Sequence, residues 1–199
     1  MSSIRPFRPG DEPALGEICV RTADNGGDAT GQLSDDDIWP AIFAWPYAAR
    51  HPELCFVVET DDGRVAGYIL GAPDSDAFDR WFADEWWPPF AERWPRPADG
   101  TTTEGAILTG ASAHGTTPNP AQTEGYPAHL HIDLLPELQG QGLGRRLIAT
   151  FTDALRAAGV PGVHLVASSD NAGAIAFYPR VGFTPLPWDA GSAFGMRLI

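Results

Sequence analysis

Residues 128–144 read Ala128-His-Leu-His-Ile-Asp-Leu-Leu135-Pro-Glu-Leu-Gln139-Gly-Gln-Gly142-Leu-Gly144, and this stretch decides the fold. Ala128 to Leu135 predicts a strand that Pro136 stops, with His129, His131 and Asp133 on one face if alternation holds. From Gly142 to Ala158 the pattern changes to helical: Leu143, Leu147, Ile148, Phe151, Ala154 and Leu155 form an apolar stripe, closed by Gly159 and Pro161. Between strand and helix lie the glycines. At such a turn they let main chain come close to a ligand, and the first-turn N–H groups of the helix have no helical partners. With the helix dipole they form a cradle for a pyrophosphate that needs no lysine, and Arg145 and Arg146 add charge beside it. A glycine-rich turn without a ligand is the plain alternative for the same residues.

Composition limits the ligand classes. All of the 13 basic residues are Arg, against 26 acidic ones, for a net charge of -13. Schiff-base chemistry and a Walker A loop are excluded by the missing lysine, and the dinucleotide fingerprint would need glycine where Arg145 stands. An acidic surface repels phosphate backbones, so neither nucleic acid nor an anionic membrane is expected as partner, and cationic amines suit it better. The 43% hydrophobic content supports one globular domain over residues 1–199. The N-terminus shows no signal-peptide pattern and no run approaches membrane-spanning length, so a cytoplasmic protein is expected. Cys19 and Cys55 then read as reduced, buried thiols, with a disulfide as the lesser alternative.

Upstream, a short strand at Ile4 to Arg8 precedes a helix capped by Asp11, with Leu15, Ile18, Cys19 and Thr22 at helical spacing. A turn-rich loop runs from Asp24 to Gly31. Ser34 and Asp35 to Asp37 look like the start of a second helix reaching Trp45-Pro46. Leu54 to Thr60 and Val65 to Gly71 flank Asp61-Asp62-Gly63 as a β-hairpin. Residues 72–127 form an insertion: one helix from Ser75 to Trp87 with Phe78, Trp81, Phe82 and Trp86 on one face, then a long loop from Pro95 to Pro127. Downstream come a strand at Val163 to Val166, a helix capped by Asp170 or Asn171 and closing near Gly182, and a final antiparallel pair, Phe183 to Leu186 with Ser192 to Leu198. The fold class is α/β, a mixed sheet with helices on both faces.

Two motifs together carry a family resemblance. Gln139-Gly-Gln-Gly142-Leu-Gly144 resembles the Gln/Arg-x-x-Gly-x-Gly/Ala signature of the GNAT acyltransferase superfamily. Asn171-Ala-Gly-Ala-Ile-Ala-Phe-Tyr178-Pro-Arg-Val-Gly182-Phe183 resembles its Asn-x-x-Ala-x-x-Phe-Tyr-x-x-x-Gly-Phe segment. Asp24 to Thr30 and Glu85-Trp-Trp-Pro88 look similar to bacterial members related to the acetyltransferase-like C-terminal region of O-GlcNAcase. The resemblance implies a largely antiparallel sheet whose fourth and fifth strands splay apart, leaving main-chain groups of Asp133, Leu134 and Leu135 for the pantetheine of acetyl-CoA. It implies that Gln141, Gly142, Leu143, Gly144 and Arg145 take the pyrophosphate and that Asn171 bonds the pantetheine arm. The acetyl group would pass directly to a small-molecule or peptide amine in a ternary complex, without a metal, the oxyanion held by a fourth-strand N–H.

An alkyl-ammonium of pKa about 10.4 must lose a proton first, a deficit of roughly 4.6 kcal/mol at pH 7. Asp133 is the favoured base, with His129, His131 or no side chain as alternatives. Tyr178 resembles the family tyrosine that protonates the departing thiolate, although Pro179 after it is expected to disturb that turn. Asp24, Asp28 and Trp86 could hold an ammonium by charge and cation–π attraction; turn-forming and core roles explain them equally well. Two other readings stay open: an acyl-CoA-binding module without turnover, and a metallohydrolase built on His129, His131 and Asp133. Tryptophans exposed on the insertion would fit a homodimer.

Overall fold

The computed structural model describes residues 2–98, 100–114, 125–187 and 192–199. Among these, seven strands form one sheet in the order β1-β2-β3-β4-β5-β7-β6. They are β1 Ser3–Pro6, β2 Phe56–Glu59, β3 Val65–Ala72, β4 Ala128–Leu134, β5 Gly162–Ala167, β6 Thr184–Leu186 and β7 Ser192–Arg197. Every pairing is antiparallel except β4 with β5. The helices are α1 Glu12–Thr22, α2 Ile38–Phe43, α3 Trp45–Arg50, α4 Ser75–Trp81, α5 Pro88–Arg93, α6 Thr103–Ser112, α7 Leu143–Ala157 and α8 Ala172–Phe177.

The sheet is covered on both faces. Leu147, Phe151 and Leu155 of α7 are fully buried, and Phe151 reaches the bare backbone of Gly71 on β3. On the opposite face, Leu15, Ile18 and Cys19 of α1, Ile38, Ala41 and Ile42 of α2 and Tyr47 of α3 are buried. The hairpin turns at Gly63, whose φ of +83° favours glycine, and a bulge at Val58/Glu59 precedes the turn.

Several elements depart from the sequence expectation for physical reasons. Asp11 does not cap α1: its carboxylate holds Arg5 of β1 at 2.7 and 2.9 Å. The helix foreseen from Ser34 begins at Ile38 and breaks at Ala44, because Pro46 has no N–H to continue the ladder and starts α3 instead. The residues read as its start bind the insertion: Ser34 bonds Glu104 at 2.6 and 2.8 Å, and Asp35 accepts from Arg93 at 2.7 Å and from the Trp94 indole at 3.1 Å. The helix expected over Ser75 to Trp87 ends at Trp81, capped at its start by Asp74, and continues as a π-turn over Phe82–Trp86 before α5.

The loop read from Pro95 to Pro127 contains α6, capped by Thr102 and buried through Gly105, Leu108 and Ala111. Its residues 115–124 lie outside the described ones. None of the insertion tryptophans is exposed: Trp87 and Trp94 are 4% and 7% accessible, and Trp81 and Trp86 are half-buried. The basis for a tryptophan-mediated homodimer is therefore absent. Cys19 and Cys55 are buried free thiols rather than a disulfide. No helix among the described residues is long and apolar enough to cross a membrane.

Candidate active site

The opening between β4 and β5 organises everything around it. These parallel strands pair only at Ala128↔Val163 and His129↔His164. Beyond that point β4 continues along β3 as far as Gly67↔Leu134, but β5 has diverged. Parity decides which groups the seam leaves open. Leu135 N–H donates to Ala66 O at 3.0 Å, so in the antiparallel ladder Asp133 and His131 also direct their main chain to β3. Ile132 and Leu134 direct theirs to the β5 side. This corrects the sequence expectation: Leu134 belongs to the open set, whereas Asp133 and Leu135 do not, and Leu135 O also accepts from Leu138 N at 2.9 Å. The Leu134 carbonyl is taken by the Gln139 side chain at 3.0 Å, so the first residue of the glycine motif fastens the loop to the strand.

The glycines of that loop serve different ends. Gly142 sits before α7 with φ +75°, and a Cβ built there would meet nothing within 4 Å. Among the described residues neither a side-chain cap nor an earlier turn reaches the N–H groups of Leu143, Gly144 and Arg145; the first pairing back is Arg146 N to Gly142 O at 3.2 Å. Gly144 is small for packing: Phe177 of α8 lies 3.2 Å and Leu134 3.7 Å from where its Cβ would be. The Gln141 side chain donates to Glu137 O at 2.6 Å, which leaves its main chain on the loop, and Arg145 is exposed alongside. Asn171 caps α8 through Oδ1, which accepts from Ala174 N at 2.9 Å and leaves its amide NH2 to donate elsewhere.

Asp133, His131 and His129 share the face of β4 that meets α1 to α3, and the β3–β4 register runs unbroken past all of them. Burial lifts the Asp133 carboxyl to about 6, against the pull of the Tyr68 and Thr22 hydroxyls. Tyr68 stands directly opposite on β3, its hydroxyl buried without a well-aligned hydrogen bond. Tyr178 begins the 3-10 turn Tyr178–Val181, the α-helix having ended where Pro179 removes a donor. Its ring packs among Phe177, Phe183 and Phe194 at 5.4 to 5.6 Å, and burial, then the charge of Asp133, raises the phenol pKa. Tyr178 therefore keeps its proton throughout the neutral range.

The histidines do not gather as metal ligands. His129 has both ring nitrogens engaged, with Tyr47 at 2.9 Å and Ser75 at 2.7 Å, and His131 Nε2 meets the same Tyr47 hydroxyl at 3.1 Å. The metallohydrolase reading thus lacks converging lone pairs. The three residues suggested for an ammonium are not brought together either. Asp24 accepts from Gln32 at 3.2 Å, Asp28 from Thr30 within its own loop, and the Trp86 indole donates to Ala41 O at 2.8 Å. A cleft of about 560 Å³ opens on the outer side of α1, between Glu17, Arg21, Asp36 and Trp45, with no wall from β4, α7 or α8. Sequence reasoning missed Tyr47, Ser75, Tyr68 and Gln139. Only Gln139 carried a signal, as the first residue of its motif.

Residues 27–183 match the Acetyltransferase (GNAT) family. Among curated proteins the chain is similar to Protein O-GlcNAcase of Rattus norvegicus, 24% identical over 182 residues that make up 90% of this chain and 20% of that protein. It is also similar to Mycothiol acetyltransferase of Beutenbergia cavernae, 33% identical over 181 residues, 89% of this chain and 50% of that one. The chain thus spans between a fifth and half the length of these relatives. Among solved structures, SsHAT superposes with a TM-score of 0.93 at 38% identity, covering 100% of this chain and 98% of that one. YncA of Salmonella typhimurium, solved with its cofactor acetyl-CoA, shares the fold at a TM-score of 0.58 and 19% identity, covering 100% and 95%. The match spans both the glycine turn and the segment ending at Phe183, on either side of the open strand seam, and the chain belongs to the GNAT family of acetyltransferases.

Proposed function

We propose that residues 1–199 act as one acetyl-CoA-dependent N-acetyltransferase unit, moving the acetyl group to a cationic primary amine within a ternary complex. The observation that carries this reading is the first turn of α7 behind Gly142, unpaired among the described residues, next to a seam in which Ile132 and Leu134 have no strand partner among them. Main-chain N–H groups of Leu143, Gly144 and Arg145 would hold the pyrophosphate, with Arg145 adding charge and Gln141 the loop main chain. The amides of pantetheine fit the open edge of β4 as an added strand would, with the Asn171 NH2 as a further donor.

Acetyl-CoA supplies the electrophilic thioester carbonyl. Asp133, ionised above pH 6, takes the proton of the incoming ammonium. The Leu134 or Ile132 N–H holds the developing oxyanion. Tyr178, still protonated, supplies the thiolate with its proton. Asp24, Asp28 and the other acidic side chains favour cationic acceptors through the overall field rather than through one shared pocket. Buried, separate Cys19 and Cys55 suit a reducing, cytoplasmic setting.

Calorimetric titration with acetyl-CoA tests the cradle. Valine at position 142 meets open space but is forced into the left-handed region, at a cost of about 1–2 kcal/mol. Gly142→Val is therefore expected to keep its circular dichroism and to lose acetyl-CoA affinity by ~10-fold or more, 1.4 kcal/mol per decade. Equal affinity of variant and wild type removes the phosphate argument. Thiol release over an amine panel then separates an enzyme from a silent binding module, which would take up acetyl-CoA and turn over nothing.

A further inference from the structure

The register of β3 and β4 continues past their last ladder pair, into the loop that leads to α7. Gly67 faces Leu134, and Leu135 N–H donates to Ala66 O at 3.0 Å, so three steps on from Gly67 the chain sets Arg64 opposite Glu137. Their side chains meet there, Arg64 Nη2 donating to Glu137 Oε1 at 2.6 Å. Each partner is held by its own main chain. The Arg64 carbonyl accepts from the N–H and from the hydroxyl of Thr60 across the hairpin turn, both at 2.9 Å. Glu137 lies in the 3-10 turn Pro136–Leu138, whose Leu138 is buried, and its carbonyl accepts from the Gln141 side chain at 2.6 Å. Two bonds in series thus join the β2–β3 hairpin to the residue before Gly142.

Charge gives this contact a task beyond stability. The two side chains are 45% and 43% exposed, and ion pairs so open to water add little to the folded state. Between Asp133 and Asp153, however, Glu137 is the one acidic residue, and that stretch holds the whole glycine turn. The Gln141 bond keeps the Glu137 main chain within a side-chain length of the cradle. The carboxylate is ionised at neutral pH: the Arg64 hydrogen bond first, then its own N–H and the charge of Arg21 of α1, hold it below the usual range. Arg64 is faced in turn by Asp62 of the hairpin turn and Glu17 of α1 as well as by Glu137. Left unpaired, an ionised Glu137 would repel a pyrophosphate at the N-terminus of α7.

We propose that Arg64 is a positioning residue for coenzyme binding that acts through Glu137, neutralising the carboxylate beside the cradle and holding it on the hairpin side. This rests on the acetyl-CoA reading above. Arg64 needs no contact of its own with the coenzyme for this role.

Calorimetric titration with acetyl-CoA at 0.01 M and 1 M salt, on the wild type, Arg64→Ala, Glu137→Gln and the double variant, tests it. One charge about 10 Å from two others in water shifts binding by a few-fold, so Arg64→Ala is expected to bind ~5-fold more weakly than the wild type at 0.01 M salt. The difference should close to within about twofold at 1 M, where the Debye length is about 3 Å. Glu137→Gln keeps the main-chain carbonyl that Gln141 uses and should bind at least as tightly as the wild type. Added to Arg64→Ala, it should bring the affinity back to within about twofold of the wild type at 0.01 M. In carbon-13 spectra of the coenzyme-free protein, the Glu137 carboxyl should titrate at higher pH in Arg64→Ala than in the wild type. Equal affinities of Arg64→Ala and wild type at 0.01 M salt overturn the role. A loss that survives 1 M salt or the second substitution overturns it too, because a displaced hairpin would behave that way and a bare charge would not. A wild type that binds no acetyl-CoA at either salt overturns the acetyl-CoA reading and the task of Arg64 with it, while the carbon-13 titration still decides whether Arg64 holds Glu137 ionised.

Discussion

At the scale of single residues, the role of base proposed for Asp133 sets function against stability. Its folded pKa of about 6 lies above the ordinary carboxylate value of 3.8. The folded state therefore binds the proton more tightly than the unfolded chain between these values, and stability is lost as pH rises through that window. At 1.36 kcal/mol per unit the cost at neutral pH is at most about 3 kcal/mol. Asp133→Asn removes the buried charge while keeping the shape. In urea melts it should be more stable than the wild type at pH 7.5, and the difference should close by about pH 4. Its acetylation should fall ~100-fold, and the break in kcat/KM near pH 6 should vanish. A variant less stable at pH 7.5 that keeps the break would show that this carboxylate is neither strained nor the base. Asp133 could be named from sequence because it is one turn of alternation from the glycine loop; its partner Tyr68 could not, since the pairing joins strands separated by the whole insertion.

At the scale of elements, the sequence shows what depends on neighbours along the chain. The α7 stripe, with Gly142 before it and Gly159 after it, needs only neighbours along the chain. The α6 helix hides in the sequence because Leu108 is its one large buried side chain, beside the small Gly105 and Ala111, which leaves little amphipathic contrast. Ser75 to Trp87 reads as one helix in sequence because the π-turn that follows α4 keeps the backbone helical while rotating the face. The seam itself leaves no mark in the pattern of β4, which alternates through Leu134 whether or not a partner is there. How α7 seats on the sheet is testable at one glycine. A Cβ on Gly71 of β3 would stand 2.4 Å from the His129 carbonyl and 2.4 Å from Phe151 Cζ. The carbonyl belongs to the β3–β4 ladder and cannot yield without breaking it, so Gly71→Ala should cost about 3 kcal/mol or more in chemical denaturation. Gly140→Ala, with open space around its Cβ and only φ +72° against it, should cost about 1–2 kcal/mol. Equal costs would mean that β3 and α7 are not packed as closely as the register implies.

For the whole molecule the dominant fact is charge, and here sequence alone carries the argument. A net charge of -13 with no lysine creates a field that attracts cations and repels the phosphates of coenzyme A alike. The proposed cradle would answer the second effect locally, through oriented N–H groups and Arg145, whose reach is short. The first acts over distances that salt controls, since the Debye length falls from about 30 Å at 0.01 M to about 3 Å at 1 M. A dicationic amine should therefore lose kcat/KM by ~10-fold between these limits, the lower end of measured steering effects. A monocationic amine of the same length should lose less, and acetyl-CoA should bind no more weakly as salt rises. These three slopes, measured on one preparation at constant pH, separate long-range attraction from pocket chemistry. Equal slopes for the two amines would mean that the acceptor is recognised by shape or hydrogen bonds alone, and that the acidic surface has no part in choosing it.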